Sequence, residues 1–172
     1  YVLMNNDIEV ITPQWMEYML GYCQRENTGI VGAKLYYPDD TVQHCGVVIG
    51  MGGFAGHILT RTERKDSEHS GRLKAIQDIS AVTAACLMIK KTTFDAIGGL
   101  DEEFQVALND VDLCLKVRAH GELVVENPMV EMYHYEWKTA KRNTSALNGR
   151  LRDSAQNGQI FWKKETLIIT RT

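Results

Sequence analysis

Three side chains combine reactive type with an informative position: Asp7, Asp110 and His134. Each falls at a strand end or at a junction between predicted elements, and ligand sites in α/β sheets gather at the carboxyl ends of strands. A carboxylate there can take up a proton, and a neutral imidazole can offer a lone pair. Each residue also has an ordinary reading. Asp7 closes Asn5-Asn6-Asp7, where an Asx-type turn accounts for the carboxylate. His134 at a strand end is compatible with a surface or hydrogen-bonded polar residue. Asp110 follows Asn109 at a predicted helix start, where Asp caps and its charge complements the helix macrodipole.

The elements that must hold these residues follow from periodicity and punctuation. Residues 1–4 read as a buried strand that ends at the Asn-Asn-Asp cluster. Thr12-Pro13 opens a helix, with Thr as N-cap and Pro at the first helical position. Trp15, Met16, Met19, Leu20 and Cys23 give it an apolar face. Residues 30–37 are a strand, and 41–49 form one extended segment leading into the glycine-rich run 50–57. That run reads as a flexible loop or a close backbone approach, and it lacks the Gly-Lys-Ser/Thr of a phosphate cradle. Residues 60–78 are the most polar stretch, either a solvated loop or a mobile segment over an active site.

A strand over residues 84–91 leads to a short helix stopped by Gly98-Gly99. The Asp110 helix follows, with Val111, Cys114 and Leu115 as its apolar face and a stop at His120-Gly121. Short strands at 123–126 and 130–133 flank Asn127-Pro128. A long helix is predicted over about residues 145–164, weakened by Gly149 and Gly158. This order predicts an α/β layered fold.

The chain has 172 residues, the size of one domain, with 44% hydrophobic and 24% charged residues. A net charge of −3 with scattered basic residues leaves no footprint for nucleic acid. No apolar run approaches the roughly 20 residues of a membrane span. Cys23, Cys45, Cys86 and Cys114 are far apart and form no C-x-x-C pair, which reads as four reduced structural thiols. The expected location is the cytoplasm, or the inner face of the membrane for a longer parent. A buried strand at the first residue is the mark of a piece cut from such a parent.

Six phrases in order carry a family resemblance. They are Met4-Asn5-Asn6-Asp7-Ile8-Glu9, the Gly-Gly-x-x-Gly-His of residues 52–57 and the Ala-x-x-Ala-Ala-Cys-x-x-Ile of 81–89. The Gly-Gly-x-Asp-Glu-x-Phe of 98–104, Asn109-Asp110-Val111-Asp112-Leu113 and Tyr133-His134-Tyr135-Glu136 complete the set. The series resembles the acceptor-side half of family 2 glycosyltransferases of the GT-A fold, notably rhamnosyltransferase-like enzymes of bacterial cell-surface polysaccharide assembly.

The resemblance implies a mixed sheet with flanking helices. Residues 1–172 would form a single partial GT-A domain without its N-terminal nucleotide-binding half. It implies inverting transfer from a nucleotide-sugar donor to a glycan or lipid-linked acceptor, by a fragment inactive alone. Asp110 would be the base, one carboxylate sufficing where glycoside hydrolysis needs two. Asp7 and His134 would hold a divalent cation, Mg²⁺ or Mn²⁺, against the donor diphosphate. Asn6, Lys141 and Arg142 would contact the donor, and His57, Asn109, Asp112 and Trp137 the acceptor. Many relatives carry Glu where Asn109 stands, which removes a charge that would raise the pKa of its neighbour.

Two other readings stand beside this one. A non-catalytic carbohydrate-binding or scaffold module would use Trp137 as its stacking ring, since Trp15 and Trp162 occupy core-like positions. A metal-dependent hydrolase on His44, His57 and His134 lacks fitting ligand spacing. The face left open by a missing half would favour self-association.

Overall fold

The computed structural model describes residues 1–66, 70–101, 108–135 and 166–169, with Ser70 and the last four as backbone. Its frame is an α/β mixed sheet with helices on both faces. The strands are β1 (Val2–Asn5), β2 (Ile8–Val10), β3 (Thr28–Tyr36), β4 (Val42–His44), β7 (Gln77–Asp78), β8 (Cys86–Ile89), β9 (Leu123–His134) and β10 (Thr166–Ile169). Along the main path they run β10-β1-β8-β3-β9-β2, with β4 on β3 and β7 on β9. The centre is the long parallel pairing of β3 with β9, from Thr28 opposite Leu123 to Tyr36 opposite Tyr133.

β3 is buried along its whole length, as a strand covered on both faces must be. Its alternate residues enter two cores. Ile30 and Tyr36 pack with Val111, Leu113, Cys114 and Val117 of α4 (Asn109–Ala119). Val31, Ala33 and Leu35 pack with Met19 and Cys23 of α1 (Trp15–Cys23). The period of two in the strand thus assigns one helix to each face. All four cysteines are buried and free, and burial pushes the Cys86 and Cys114 thiols up to about 12. No helix among the described residues is long and apolar enough to cross a membrane.

Several expectations are corrected. The extended segment 41–49 is two strands, broken at Gly46, whose φ of +117° takes the chain out of the main sheet. The second piece, β5 (Val47–Ile49), pairs with β6 (Ala55–His57) in a separate hairpin. The glycine run is therefore a hairpin turn, with Gly50, Gly52 and Gly53 all at positive φ. The polar stretch is largely exposed, as a solvated segment would be, with Arg64 tied to Glu131 at 2.6 Å and α2 (Ser70–Lys74) leading into β7.

Asn127-Pro128 does not divide two strands. It is a bulge inside β9, where the register jumps from Asn127 opposite Ala33 to Glu131 opposite Lys34. Thr12 does not cap α1, which starts at Trp15 after Gln14. The bulge takes its hydroxyl instead: Thr12 Oγ1 donates to the Met129 carbonyl at 3.1 Å and accepts from the Glu131 amide at 3.0 Å. In α4, Leu115 faces solvent while Leu113 and Val117 are buried. α3 (Lys91–Ala96) is stopped by Gly98 and Gly99, at φ +78° and +68°, as the sequence predicts. The helix predicted over residues 145–164 lies outside the described residues.

Candidate functional site

Asp7 and His134 meet at the carboxyl ends of β1, β3 and β9, which run in one direction. Asn6 and Asp7 form a two-residue turn that carries the chain from β1 to β2, on the far side of β3 and β9 in strand order. The crossing sets Asp7 against the end of β9, where the Tyr135 amide donates to the Asp7 carbonyl at 3.0 Å. Asp7 Oδ1 lies 3.2 Å from His134 Nε2, and Asn5 Nδ2 lies 3.2 Å from the same nitrogen.

Gln43 fixes the state of the imidazole. Its Nε2 donates to the His134 carbonyl at 3.3 Å, which turns Oε1 toward His134 Nδ1 at 2.7 Å. A carbonyl oxygen only accepts, so Nδ1 carries a proton, and in the neutral imidazole Nε2 then presents a lone pair. That lone pair takes the Asn5 amide and also faces a carboxylate oxygen. Two electron-pair donors 3.2 Å apart are complemented by a cation between or beside them, and a side-chain carbonyl behind the ring is the usual support of a ligating histidine. The pair is a minimal ligand set. Among the described residues no group of three or more His, Cys, Asp or Glu side chains converges on one point, so a cation here would complete its shell with substrate oxygens and water, as Mg²⁺ commonly does.

Asp110 stands in the first turn of α4 without capping it. The cap position is Leu108, held at φ +70°, with no side-chain cap bond. A non-glycine residue in that region is strained, and such strain gathers near functional sites. One carboxylate oxygen of Asp110 reaches outward, Oδ2 accepting from the Ala84 amide at 3.3 Å, while Oδ1 accepts from the Val111 amide in the first turn of α4 at 2.9 Å. The loop before β8 ties the site together through three consecutive residues. Thr83 N donates to His44 Nε2 at 3.4 Å, Ala84 N to Asp110, and the Ala85 carbonyl accepts from the Asn5 amide at 2.9 Å.

His44 is the residue that the spacing argument set aside. It is fully buried, its Nδ1 is 2.9 Å from His57 Nδ1, and the rings meet edge to face. Burial first, then the neighbouring His57 and His134, holds its pKa well below the usual imidazole value. Gln43, His44, His57, Thr83 and His134 line a cavity of about 220 Å³. A larger cavity of about 690 Å³ lies around Lys34, Tyr36, Arg64 and Met129. Its charges satisfy each other on Glu131, which accepts from Tyr36 at 2.7 Å, Lys34 at 3.0 Å and Arg64 at 2.6 Å. Among the described residues none of the predicted site lines it, whereas His57 and His134 line the smaller one, with Asp7 and Asp110 outside its lining; the smaller cavity is the candidate site.

The other predicted residues fall differently. His57 ends β6 opposite Val47, and Val47 bridges Ala81, which sets the β5–β6 hairpin against the loop before β8. Asn6 is exposed at the crossing turn. Asn109 is buried at the start of α4, its Oδ1 without a partner among the described residues. Asp112 turns to Lys116 at 2.8 Å along the helix. Trp137, Lys141 and Arg142 lie outside the described residues. Sequence reasoning missed Gln43 entirely. The signal was a pair of polar residues, Gln43-His44, inside a predicted strand flanked by Val42 and Val47, because buried polar groups need partners.

No protein-family model matches the chain. It is 54% identical over 163 residues to the uncharacterized protein y4gI of Sinorhizobium fredii, a match covering 94% of this chain and 18% of that protein. It is 40% identical over 147 residues to the O-antigen biosynthesis protein RfbC of Myxococcus xanthus, covering 85% of this chain and 11% of that protein. A weaker likeness, 24% over 98 residues, covers 56% of the chain and 32% of the N-acetylglucosaminyl-diphospho-decaprenol L-rhamnosyltransferase of Mycobacterium tuberculosis. The chain spans less than a third of the length of each of these relatives.

Proposed function

We propose that this chain is the acceptor-side half of an inverting GT-A glycosyltransferase. In this reading it moves a sugar from a nucleotide donor to a glycan or lipid-linked acceptor in polysaccharide assembly. The names of two relatives, one in O-antigen biosynthesis and one a rhamnosyltransferase, support glycosyl transfer in general. The observation that carries the reading is His134 Nε2 at 3.2 Å from Asp7 Oδ1, in a network that reaches Asp110 through adjacent backbone amides.

Asp7 and His134 would hold Mg²⁺ or Mn²⁺, with Gln43 fixing the ring from behind and Asn5 giving up its contact on Nε2 to the cation. A cation there neutralises charge on a departing diphosphate. Asp110 takes the proton from the attacking hydroxyl, whose oxygen then bonds the anomeric carbon as the bond to the diphosphate breaks. The Ala84 amide orients its carboxylate. Asn6 stands beside Asp7 on the donor side, and His57 lines the cavity on the acceptor side.

The test is Asp110→Asn in an active protein carrying this chain. Transfer falls by about 10²–10⁴-fold, the usual worth of a general base, with donor binding retained and a melting temperature lowered only by the loss of one amide acceptor. A wild-type rate in the variant overturns the base assignment. A thermal-shift panel of UDP-, GDP- and dTDP-sugars, with and without Mn²⁺, tests the cation. No Mn²⁺-dependent shift and no transfer by the wild type, with sugar binding intact, would make the chain a carbohydrate-binding module.

A further inference from the structure

Seven large apolar side chains stand exposed among the described residues. Val10, Tyr18, Leu115 and Met129 come one each from β2, α1, α4 and β9, and single exposed apolar residues are ordinary on any surface. The other three fall together at the turn of the β5–β6 hairpin: Ile49 is 43% exposed, Met51 46% and Phe54 65%. The turn stands clear of the rest of the molecule. A Cβ built on Gly50, Gly52 or Gly53 would meet nothing within 4 Å. It is also uncharged, since the chain carries no Asp, Glu, Lys or Arg from Thr41 to Thr60, although charged residues make up 24% of the whole. The cations that follow are engaged elsewhere: Arg61 lies on Tyr37 and pairs with Asp39, and Arg64 pairs with Glu131.

The size of the patch argues for its occupant. At roughly 200 Å² for a full side chain, the three expose on the order of 300 Å², well below the ~800 Å² per partner of a stable protein–protein interface. A lipid surface needs no partner of matching shape, and aromatic and aliphatic side chains settle at its boundary between headgroups and acyl chains. We propose that the turn of the β5–β6 hairpin is a membrane-contacting tip, with Ile49, Met51 and Phe54 seated in the interface of a lipid bilayer. His57, which ends β6 and lines the candidate cavity, is three residues from Phe54, at most about 10 Å of extended chain. A seated tip therefore holds the cavity close above the hydrocarbon. This consequence rests on the sugar-transfer reading and narrows it: the acceptor is anchored in the same bilayer, with its head in the cavity and its chain in the lipid.

The test is co-sedimentation with vesicles of phosphatidylcholine, alone and mixed with phosphatidylglycerol, using this chain and a longer protein that carries it. Both proteins bind both vesicles, and high salt does not release them, because the contact is apolar. Phe54→Ser weakens partitioning roughly tenfold, the worth of most of one aromatic side chain. Adding Ile49→Ser and Met51→Ser abolishes binding, with the melting temperature kept because these side chains face solvent. Phe54→Trp keeps binding, and its added fluorescence is quenched by bromine-labelled lipid. A wild type that does not bind, binding to the anionic vesicles alone with release by salt, or binding that the triple variant retains overturns the proposal. Binding by this chain but not by the longer protein overturns it as well, since another part of that protein then covers the tip.

In an active protein carrying the chain, the triple variant slows transfer to an acceptor held in vesicles and leaves transfer to a short-chain, water-soluble analogue unchanged. An equal effect on both acceptors overturns the narrowing to an anchored one. If the wild type transfers sugar to neither while the vesicle results hold, the transfer reading fails and the membrane tip stands.

Discussion

Glu126 offers the sharpest test of the reasoning about burial. It lies in β9 opposite Gly32 on one side and Gln77 on the other, fully buried, with neither carboxylate oxygen partnered among the described residues. Desolvation raises its pKa from 4.5 to about 8, with the Lys34 charge opposing weakly. Between those two values the folded chain keeps the proton and the unfolded chain has lost it. Stability is therefore full below about pH 4.5 and falls as pH rises, by about 1.4 kcal/mol per unit, until the folded group titrates.

From pH 5 to pH 8 the ceiling is about 4 kcal/mol, and relaxation with water entry reduces this to about 2 kcal/mol. For a domain of this size that is a melting shift of roughly 4–8 °C. Glu126→Gln cannot titrate. Its buried amide costs about 1–3 kcal/mol at low pH, so it starts below the wild type at pH 5 and approaches or passes it by pH 8. The assay is the difference between the two melting curves across that range, in which groups common to both proteins cancel. Parallel curves with a constant offset refute the argument. Glu126→Met, which drops the polar atoms, should share the flat profile of the Gln variant.

Gly32 admits no side chain, since a Cβ there would lie 2.5–2.9 Å from three carbons of Val82. Gly32→Ala costs about 1–3 kcal/mol by overpacking, read by urea unfolding, and an unchanged midpoint refutes it. Gln43→Leu removes the oxygen that accepts from His134 Nδ1–H, and Mn²⁺ binding weakens about 10–100-fold with folding retained; unchanged affinity refutes the supporting role. Asp112→Asn breaks only a partly exposed pair with Lys116, so stability changes by less than about 1 kcal/mol. If acceptor KM nevertheless rises severalfold in that variant, Asp112 reads the acceptor, as the family resemblance implies.

What was legible in the sequence was local. The Asn-Asn-Asp turn, the helix after Asn109 and the stops at Gly98-Gly99 and Gly121 all depend on neighbours within a few residues, and they stand where periodicity put them. Asp110 was legible as a helix-start residue and misread as a cap, because capping preference carries no information about the Ala84 amide 26 positions away. The connecting network was illegible for the same reason. Its bonds join Gln43 to His134 across 91 positions and Thr83 to His44 across 39.

Reading residues 41–49 as one strand concealed the mechanism of that network. A continuous strand of period two would turn Gln43 and His44 to opposite faces of the sheet. The strand is instead irregular at Gln43: Val42 stands opposite Tyr36 and His44 opposite Leu35, so Gln43 is an extra residue in the ladder, and both side chains are used at one strand end, Gln43 on His134 and His44 on His57. Two adjacent polar residues in a buried strand break the local pattern, and such breaks are expected where a fold is shaped for function. The break at Gly46 lets β5 leave the sheet and carry His57 back over the cavity on β6. One glycine with a left-handed backbone thereby leaves His44 buried at the end of β4 and brings His57 back beside it at the surface.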